Sequence, residues 1–143
     1  MVNPIVSAGD DNTTSVGGDV SPQSFSNKRI NVCLDDTNFL LWKQQVILTI
    51  RGLGLEAFID PDTLKPVKVI DRASGDRIVN HAYTQFVKQD SSLASWLLST
   101  VSSDILPQLV EAKISSEIWS VIQGLHHIKL NIIMHNLQSN PHA

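Results

Sequence analysis

The sequence of 143 residues contains a single cysteine, Cys33. One cysteine can form neither an intrachain disulfide nor a zinc site built from several thiolates. Lys28 and Arg29 are the only activating groups near it, so the sequence predicts a small buried hydrophobe rather than a nucleophile. The low cysteine content fits a reducing compartment. We therefore expect the cytoplasm, with the nucleus as the alternative.

Long hydrophobic runs are also missing from the chain. No apolar stretch approaches the roughly 20 residues that a helix needs to cross a bilayer. The first residues carry neither a positively charged segment nor an apolar one, so we expect no secretory signal. A membrane is not an expected partner.

The chain has no excess of basic charge. Its formal net charge is −3, from 11 Lys and Arg against 14 Asp and Glu. Three of the acids and none of the bases lie in residues 1–27, so 11 acids face 11 bases in the remainder. Nucleic-acid-binding domains usually carry a basic excess, because phosphate neutralisation supplies much of their affinity. We expect no strong RNA or DNA binding. The alternative is a one-sided basic face, which a neutral net charge would not reveal. Its residues would be Lys28, Arg29, Arg51, Lys65 and Lys68.

Catalytic motifs are absent too. The chain has no Walker glycine loop, dinucleotide fingerprint, HExxH helix or nucleophile elbow. The pair Asp35-Asp36 has helix capping as its ordinary interpretation, with paired carboxylates for metal or acid–base work as the alternative. His127 and His135 lie about two helical turns apart, and such a pair with His126 cannot close a metal site without a ligand between them. We expect no enzyme, no metal and no cofactor.

Composition divides the chain into three parts. Residues 1–27 are rich in Ser, Thr, Asn, Asp and Gly, and such a segment cannot bury enough surface to offset the entropy of ordering. They are predicted to form a disordered tail, with a second short tail at residues 139–143. Residues 28–138 are predicted to be the folded domain. Its first segment, Lys28 to Leu34, alternates polar and apolar residues, which is typical of an extended arm.

Helical periodicity covers most of this domain. The first helix is predicted to begin near Asn38, capped by Asp36, Thr37 or Asn38, and to end at Gly52 and Gly54. Its apolar stripe comprises Phe39, Trp42, Val46, Ile50 and Leu53, widened by Leu41 and Leu48. Residues 55–78 follow as a long solvated connection, with Pro61 and Pro66 as breakers and a turn at Ser74-Gly75-Asp76.

Four further helices complete the prediction. The second runs from about Asn80 to Val101, and the third is a short one from Ser103 to about Glu111. The fourth begins at Ser115 or Ser116, with Glu117 favouring its N-terminal end, and stops at Gly124. A fifth covers residues 128–138, with an apolar stripe of Ile128, Ile132, Ile133 and Leu137. The fold class is therefore predicted to be all-α, a compact bundle of about five helices without substantial sheet.

The three tryptophans, Trp42, Trp96 and Trp119, each lie among apolar residues at helical spacing. Tryptophans on such stripes are usually part of the core. Stacking on nucleic-acid bases is the alternative, but that arrangement needs a basic groove around the rings. The neutral charge balance favours the core interpretation.

These patterns resemble the Gag capsid-like region of plant copia-type LTR retrotransposons over roughly residues 30–123. No single motif is specific, but the order and spacing together are. The segments that carry the resemblance are Leu34 to Lys43, Gly52 to Leu55 with Phe58, Gln89-Asp90 with Ser95 to Ser99, Ile105 to Pro107, and Ser116 to Trp119. The family-motif residues are Leu34, Asn38, Phe39, Trp42, Asp90, Trp96, Leu97, Glu117 and Trp119.

The resemblance implies an all-helical, non-enzymatic protein that self-associates into a particle shell around element RNA. Its partner would be another copy of itself or another Gag-like protein. The chain departs from the pattern at Phe86, where the family commonly has tryptophan, and the match weakens after Gly124. No CCHC knuckle follows, so we expect a truncated or degenerate copy. The alternative is a domesticated host adaptor or regulator that binds another protein.

Overall fold

The computed structural model describes Phe25 and residues 27–139. The predictions of tails at residues 1–24, 26 and 140–143 lie outside the described residues. In the described part, three α-helices are joined by short 3₁₀ segments and one small hairpin. The elements are α1 (Phe39–Gly52), a 3₁₀ segment (Glu56–Phe58), β1 (Val69–Asp71), β2 (Arg77–Val79), α2 (His81–Ser99), a second 3₁₀ segment (Leu106–Leu109) and α3 (Ser115–Ser139). The prediction of a mostly helical protein is confirmed, whereas the predicted all-α bundle of about five helices is wrong, because the described residues form three α-helices and a two-stranded hairpin.

Helix α1 follows the predicted apolar stripe. Its buried residues are Phe39, Trp42, Val46 and Ile50. The widening of this stripe by Leu41 and Leu48 is wrong, because both side chains are more than half exposed. The helix ends as predicted, with Gly54 in the left-handed region at φ +69° and its N–H donating to the Arg51 carbonyl at 3.1 Å.

The predicted side-chain cap of α1 is absent. Asn38 precedes the helix, but its side chain accepts the N–H of Asp35 at 2.9 Å and donates to the Cys33 carbonyl at 2.8 Å. Asp35 in turn accepts the N–H and the hydroxyl of Thr37, both at 2.7 Å. These side chains bind the turn before the helix instead of the free N–H groups of its first turn.

The connection predicted as a solvated loop contains the hairpin. Strands β1 and β2 pair antiparallel, with Val69 opposite Val79 and Ile70 opposite Ile78. The predicted turn is correct, and Gly75 lies in it at φ +86°. The β-branched residues on both sides of this turn favour strands. The prediction of a loop gave more weight to the nearby prolines and alternating charges than to these residues.

Helix α2 agrees with its prediction to within two residues. The Asn80 side chain caps it by accepting the N–H of Ala82 at 3.1 Å. The following 3₁₀ segment is shorter than the helix predicted from Ser103 to Glu111, and Pro107 lies in its first turn, where a missing N–H is tolerated.

Helix α3 is continuous through Gly124, so the predicted stop there and the separate fifth helix are both wrong. One glycine inside a helix costs about 0.5–1 kcal/mol relative to alanine. This cost is small beside the burial of Ile118 and Ile122, which anchors the first half of the helix in the core. The helix therefore continues past the glycine.

The extended arm that precedes α1 is hydrogen-bonded to the segment that follows α2. Leu34 forms an isolated parallel bridge with Val101, through a 2.8 Å bond from the Leu34 N–H to the Thr100 carbonyl. Phe25 is buried, with its ring centroid 5.6 Å from that of Trp96. No helix among residues 27–139 has the length and apolar character needed to cross a membrane.

Candidate protein-interaction surface

Trp42 lies at the centre of the core with no exposed surface. Its indole N–H donates to the Thr100 hydroxyl at 3.0 Å, and that hydroxyl donates to the Leu97 carbonyl at 2.6 Å. The ring also stacks on Trp119, with centroids 5.6 Å apart. Trp42 thus joins all three helices, which confirms the interpretation of this residue as core.

Asp90 joins α2 to the start of α3. Its carboxylate oxygens accept the Ser115 N–H at 3.2 and 3.3 Å, and the Ser115 hydroxyl donates to the Asp90 carbonyl at 3.0 Å. Both residues are buried. Burial raises the pKa of Asp90 above its ordinary value, and the hydrogen bonds from Ser115 oppose that rise. The acceptor for the backbone N–H of Ser115, the first residue of α3, is therefore a side chain of α2 that lies 25 positions away in sequence.

The remaining family-motif residues also support the fold. Trp96 donates its indole N–H to the Lys28 carbonyl at 3.0 Å and so holds the arm. Leu97 is fully buried in α2. Glu117 is exposed in the first turn of α3, where it accepts the Lys113 N–H at 2.8 Å. These residues do not converge on a catalytic arrangement.

Cys33 is exposed, so the prediction of a buried hydrophobe is wrong. The alternation of the arm gives the reason, because Leu34 points into the core and its neighbour points out. Among the described residues no group of three or more His, Cys, Asp or Glu is placed to hold a metal ion.

A different surface presents itself where α1 begins and α3 leaves the core. The Phe39 ring stacks on His126 with centroids 3.8 Å apart and planes 14° from parallel. The ammonium group of Lys43 lies 5.8 Å from the centroid of the same ring. The helix continues beyond this stack to Ser139.

Beyond the stack, α3 carries large apolar side chains that no described element covers. We call them the distal face: Ile128, Leu130, Ile132, Ile133, Met134 and Leu137. Their exposed fractions range from 44% to 65%, whereas Ile118 and Ile122 on the same helix are almost fully buried. Residues 128–138 are helical as predicted, but their apolar stripe stays about half exposed instead of being buried in a bundle.

A groove of about 450 Å³ lies on one side of the Phe39–His126 stack. We call it the wide groove. Its apolar walls are formed by Leu34, Phe39, Ile105, Ile122, Leu125, Ile128, Ile132 and Ile133, and its polar residues are Asp35, Asp36, Gln108, His126 and Lys129. Ligand and anchor pockets in proteins have volumes of about 300–1,000 Å³ and similarly apolar walls. The groove is therefore large enough to receive apolar side chains.

A second depression of about 290 Å³, the narrow groove, lies on the other side of the stack. The start of α1 forms one wall, including the exposed side chains of Leu40 and Leu41. Leu130 and Ile133 of α3 form the opposite wall. The distal half of α3 is thus a ridge with an apolar groove on each flank.

Charge is sparse on this surface. Lys129 is the single formally charged residue in residues 126–139, and Asp35 and Asp36 lie at the edge of the wide groove. The hydrogen bonds from Thr37 lower the pKa of Asp35, with a smaller contribution from Lys129. Asp35 is therefore a carboxylate at neutral pH. The surface combines two acids and one base with a mainly apolar area.

Sequence reasoning missed this surface. The apolar stripe of residues 128–138 was evident, but periodicity does not say whether another element covers a stripe. Leu40 and Leu41 gave no decisive local signal, because a buried stripe about 100° wide can hold two adjacent residues, as Trp96 and Leu97 do in α2. The side chains of Leu40 and Leu41 are both exposed and line the narrow groove.

Comparisons with known proteins relate the chain to retrotransposon polyproteins. It is 30% identical over 93 residues, 65% of its length, to the retrovirus-related Pol polyprotein from transposon RE1 of Arabidopsis thaliana. It has the same identity over the same length to the retrovirus-related Pol polyprotein from transposon RE2 of that plant. The match spans about 6% of the length of each relative. No family model matches the chain, and no solved structure matches it.

Proposed function

We propose that the chain is a non-enzymatic assembly module of the Gag type, from a copia-type LTR retrotransposon, and that it works by self-association. The observation that carries the proposal is the apolar surface formed by the distal face and its two grooves. Large exposed apolar patches on soluble proteins mark interaction sites. Similarity to the two transposon polyproteins supports the retrotransposon origin.

The chemistry of the surface favours binding over catalysis. An active site places a nucleophile beside a base, or several titratable groups around a reacting atom. In the wide groove, the His126 ring is stacked on Phe39 and the Asp35 carboxylate is bonded to Thr37. Apolar walls with a few polar groups at the edge suit a protein partner.

The module needs no nucleic acid for this association. The tryptophans of the core are engaged within the fold, and Arg51 of the supposed basic face lies 3.7 Å from Glu56. We expect RNA affinity weaker than the roughly 10⁻⁴–10⁻⁶ M of non-specific binders. Fluorescence anisotropy with single-stranded RNA at physiological ionic strength measures it. Micromolar binding that falls steeply with added salt would restore the basic face and an RNA-packaging role.

The proposed compartment is the cytoplasm.

Light scattering coupled to size exclusion tests the function directly. We expect the mass of the 143-residue chain to rise above that of the monomer, 15.8 kDa, as its concentration increases through the micromolar range. A mass that stays at the monomer value would reject self-association. That result would favour the second candidate, a domesticated host adaptor whose grooves receive an apolar segment of another protein.

A further inference from the structure

We infer that the distal face of α3 and the wide groove form a two-fold interface between two copies of this chain, each copy placing its distal turn in the groove of the other. The inference rests on the proposed self-association and names the surface that performs it. A closed two-fold interface uses the same patch on both subunits, so that patch must carry both a projecting element and its receptor.

The first step of the argument is shape. The distal half of α3, residues 126–139, is about 21 Å long at 1.5 Å per residue, and every residue from Leu130 to Ser139 is exposed. Met134 and Leu137 line neither groove of their own chain. They are therefore free to enter a groove on another molecule. The wide groove lies beside the base of the same helix, so one surface holds both the projection and the receptor.

The second step is the apolar match. The groove walls and the projecting side chains are of one chemical kind, large aliphatic groups. Burying apolar surface contributes about 25 cal/mol per Å² removed from water. In a two-fold arrangement this gain occurs twice, once in each groove.

The third step is charge. A strongly charged partner would find no complementary field on a helix half whose single formal charge is Lys129. The surface itself carries both signs of charge, because Lys129 lies near Asp35 and Asp36 at the edge of the groove of its own chain, and a second copy brings the same set. Two copies placed face to face therefore meet little like-charge repulsion, and each Lys129 has carboxylates within the interface. This balance favours a second copy over an acidic or basic protein.

Matched lysine substitutions test the surface. Leu137→Lys places a charge on the distal face, whereas Leu48→Lys places it on an exposed leucine of α1 outside both grooves. Both sites are solvent-exposed helical positions that tolerate lysine, so folding is expected to survive, and circular dichroism checks it. Sedimentation equilibrium should show at least about a tenfold weaker dimer for Leu137→Lys, as for truncation of an interface anchor. The Leu48→Lys control should stay within about twofold of the parent chain, as expected away from an anchor.

The outcomes separate the two proposals. A monomeric parent chain rejects both self-association and this interface. A parent that associates while Leu137→Lys associates equally well rejects the interface alone. Equal weakening by Leu48→Lys and Leu137→Lys also rejects it, because the effect would not depend on the distal face.

Cross-linking tests the pairing itself. One chain carries Cys33→Ser with Gln108→Cys at the wide groove, and the other carries Cys33→Ser with Leu137→Cys on the distal face. Mixed and mildly oxidised, they should form a disulfide-linked heterodimer in preference to either homodimer. A heterodimer no more abundant than the homodimers would show that the wide groove does not receive the distal turn of a second copy.

Discussion

The carboxylate of Asp90, in the middle of α2, accepts the backbone N–H of Ser115 at the first residue of α3. The contact spans 25 positions of sequence and is buried. A helix N-terminus leaves backbone N–H groups without partners inside the helix, and an acceptor there also interacts favourably with the helix dipole. Asp90 thus sets where α3 begins, and so where its distal half emerges.

Removing this acceptor should destabilise the protein. Asp90→Ala leaves the Ser115 N–H buried and unbonded, which costs about 1–3 kcal/mol. Asp90→Asn keeps an acceptor oxygen and should lose less. The exposed Asp104→Ala is the control and should stay within about 0.5 kcal/mol of the parent. Urea unfolding measures all three, and an unchanged midpoint for Asp90→Ala would mean that water replaces the carboxylate.

The raised pKa of Asp90 predicts a pH dependence of definite sign. Between its ordinary value, about 3.9, and its raised value, the folded chain holds a proton that the unfolded chain has released. The contribution of Asp90 to stability therefore falls as pH rises through that window. Relative to Asp90→Asn, the parent should be more stable below about pH 4 than at neutrality. Other carboxylates titrate in both chains, so the difference between the two unfolding free energies is the quantity to measure. A difference that changed in the opposite direction would mean that the charge at the helix end outweighs its burial.

Trp42 should be among the most sensitive positions in the core. Trp42→Ala removes a fully buried aromatic side chain and should cost about 3–5 kcal/mol. Trp42→Phe keeps a ring against Trp119 but loses the bond to the Thr100 hydroxyl, so its cost should be smaller. The neighbouring exposed Leu41→Ala serves as the control. Circular dichroism follows unfolding in all of them, and a Trp42→Ala chain as stable as this control would contradict the core assignment.

Local sequence signals predicted where the helices lie better than which side chains cap them. Asn80 and Asn38 both precede a helix, yet only Asn80 caps one, because the amide of Asn38 already binds Asp35 and Cys33. Residue type predicts that a cap is available. It does not predict whether the side-chain amide is already hydrogen-bonded to another segment.

Burial was predictable only where several stripes converge. The stripe through Trp42 is buried because α2 and α3 both pack on it. The stripe through Ile132 has similar composition, but its side chains stay 44% to 65% exposed. Long-range packing decides between the two, and a single sequence does not encode it in any local pattern. The candidate surface escaped prediction for that reason.

Two of the three glycines at which helices were predicted to stop, Gly54 and Gly124, should respond oppositely to alanine. Gly124 lies inside α3 with nothing within 4 Å of an added Cβ, so Gly124→Ala should stabilise the chain by about 0.4–1 kcal/mol. Gly54 has equally open space but a φ of +69°, so its alanine variant takes on backbone strain and should lose about 1 kcal/mol. Thermal unfolding of the two variants against the parent measures both shifts. Destabilisation by Gly124→Ala would show that α3 bends at this position, and the continuous helix on which the two-fold interface depends would then be wrong.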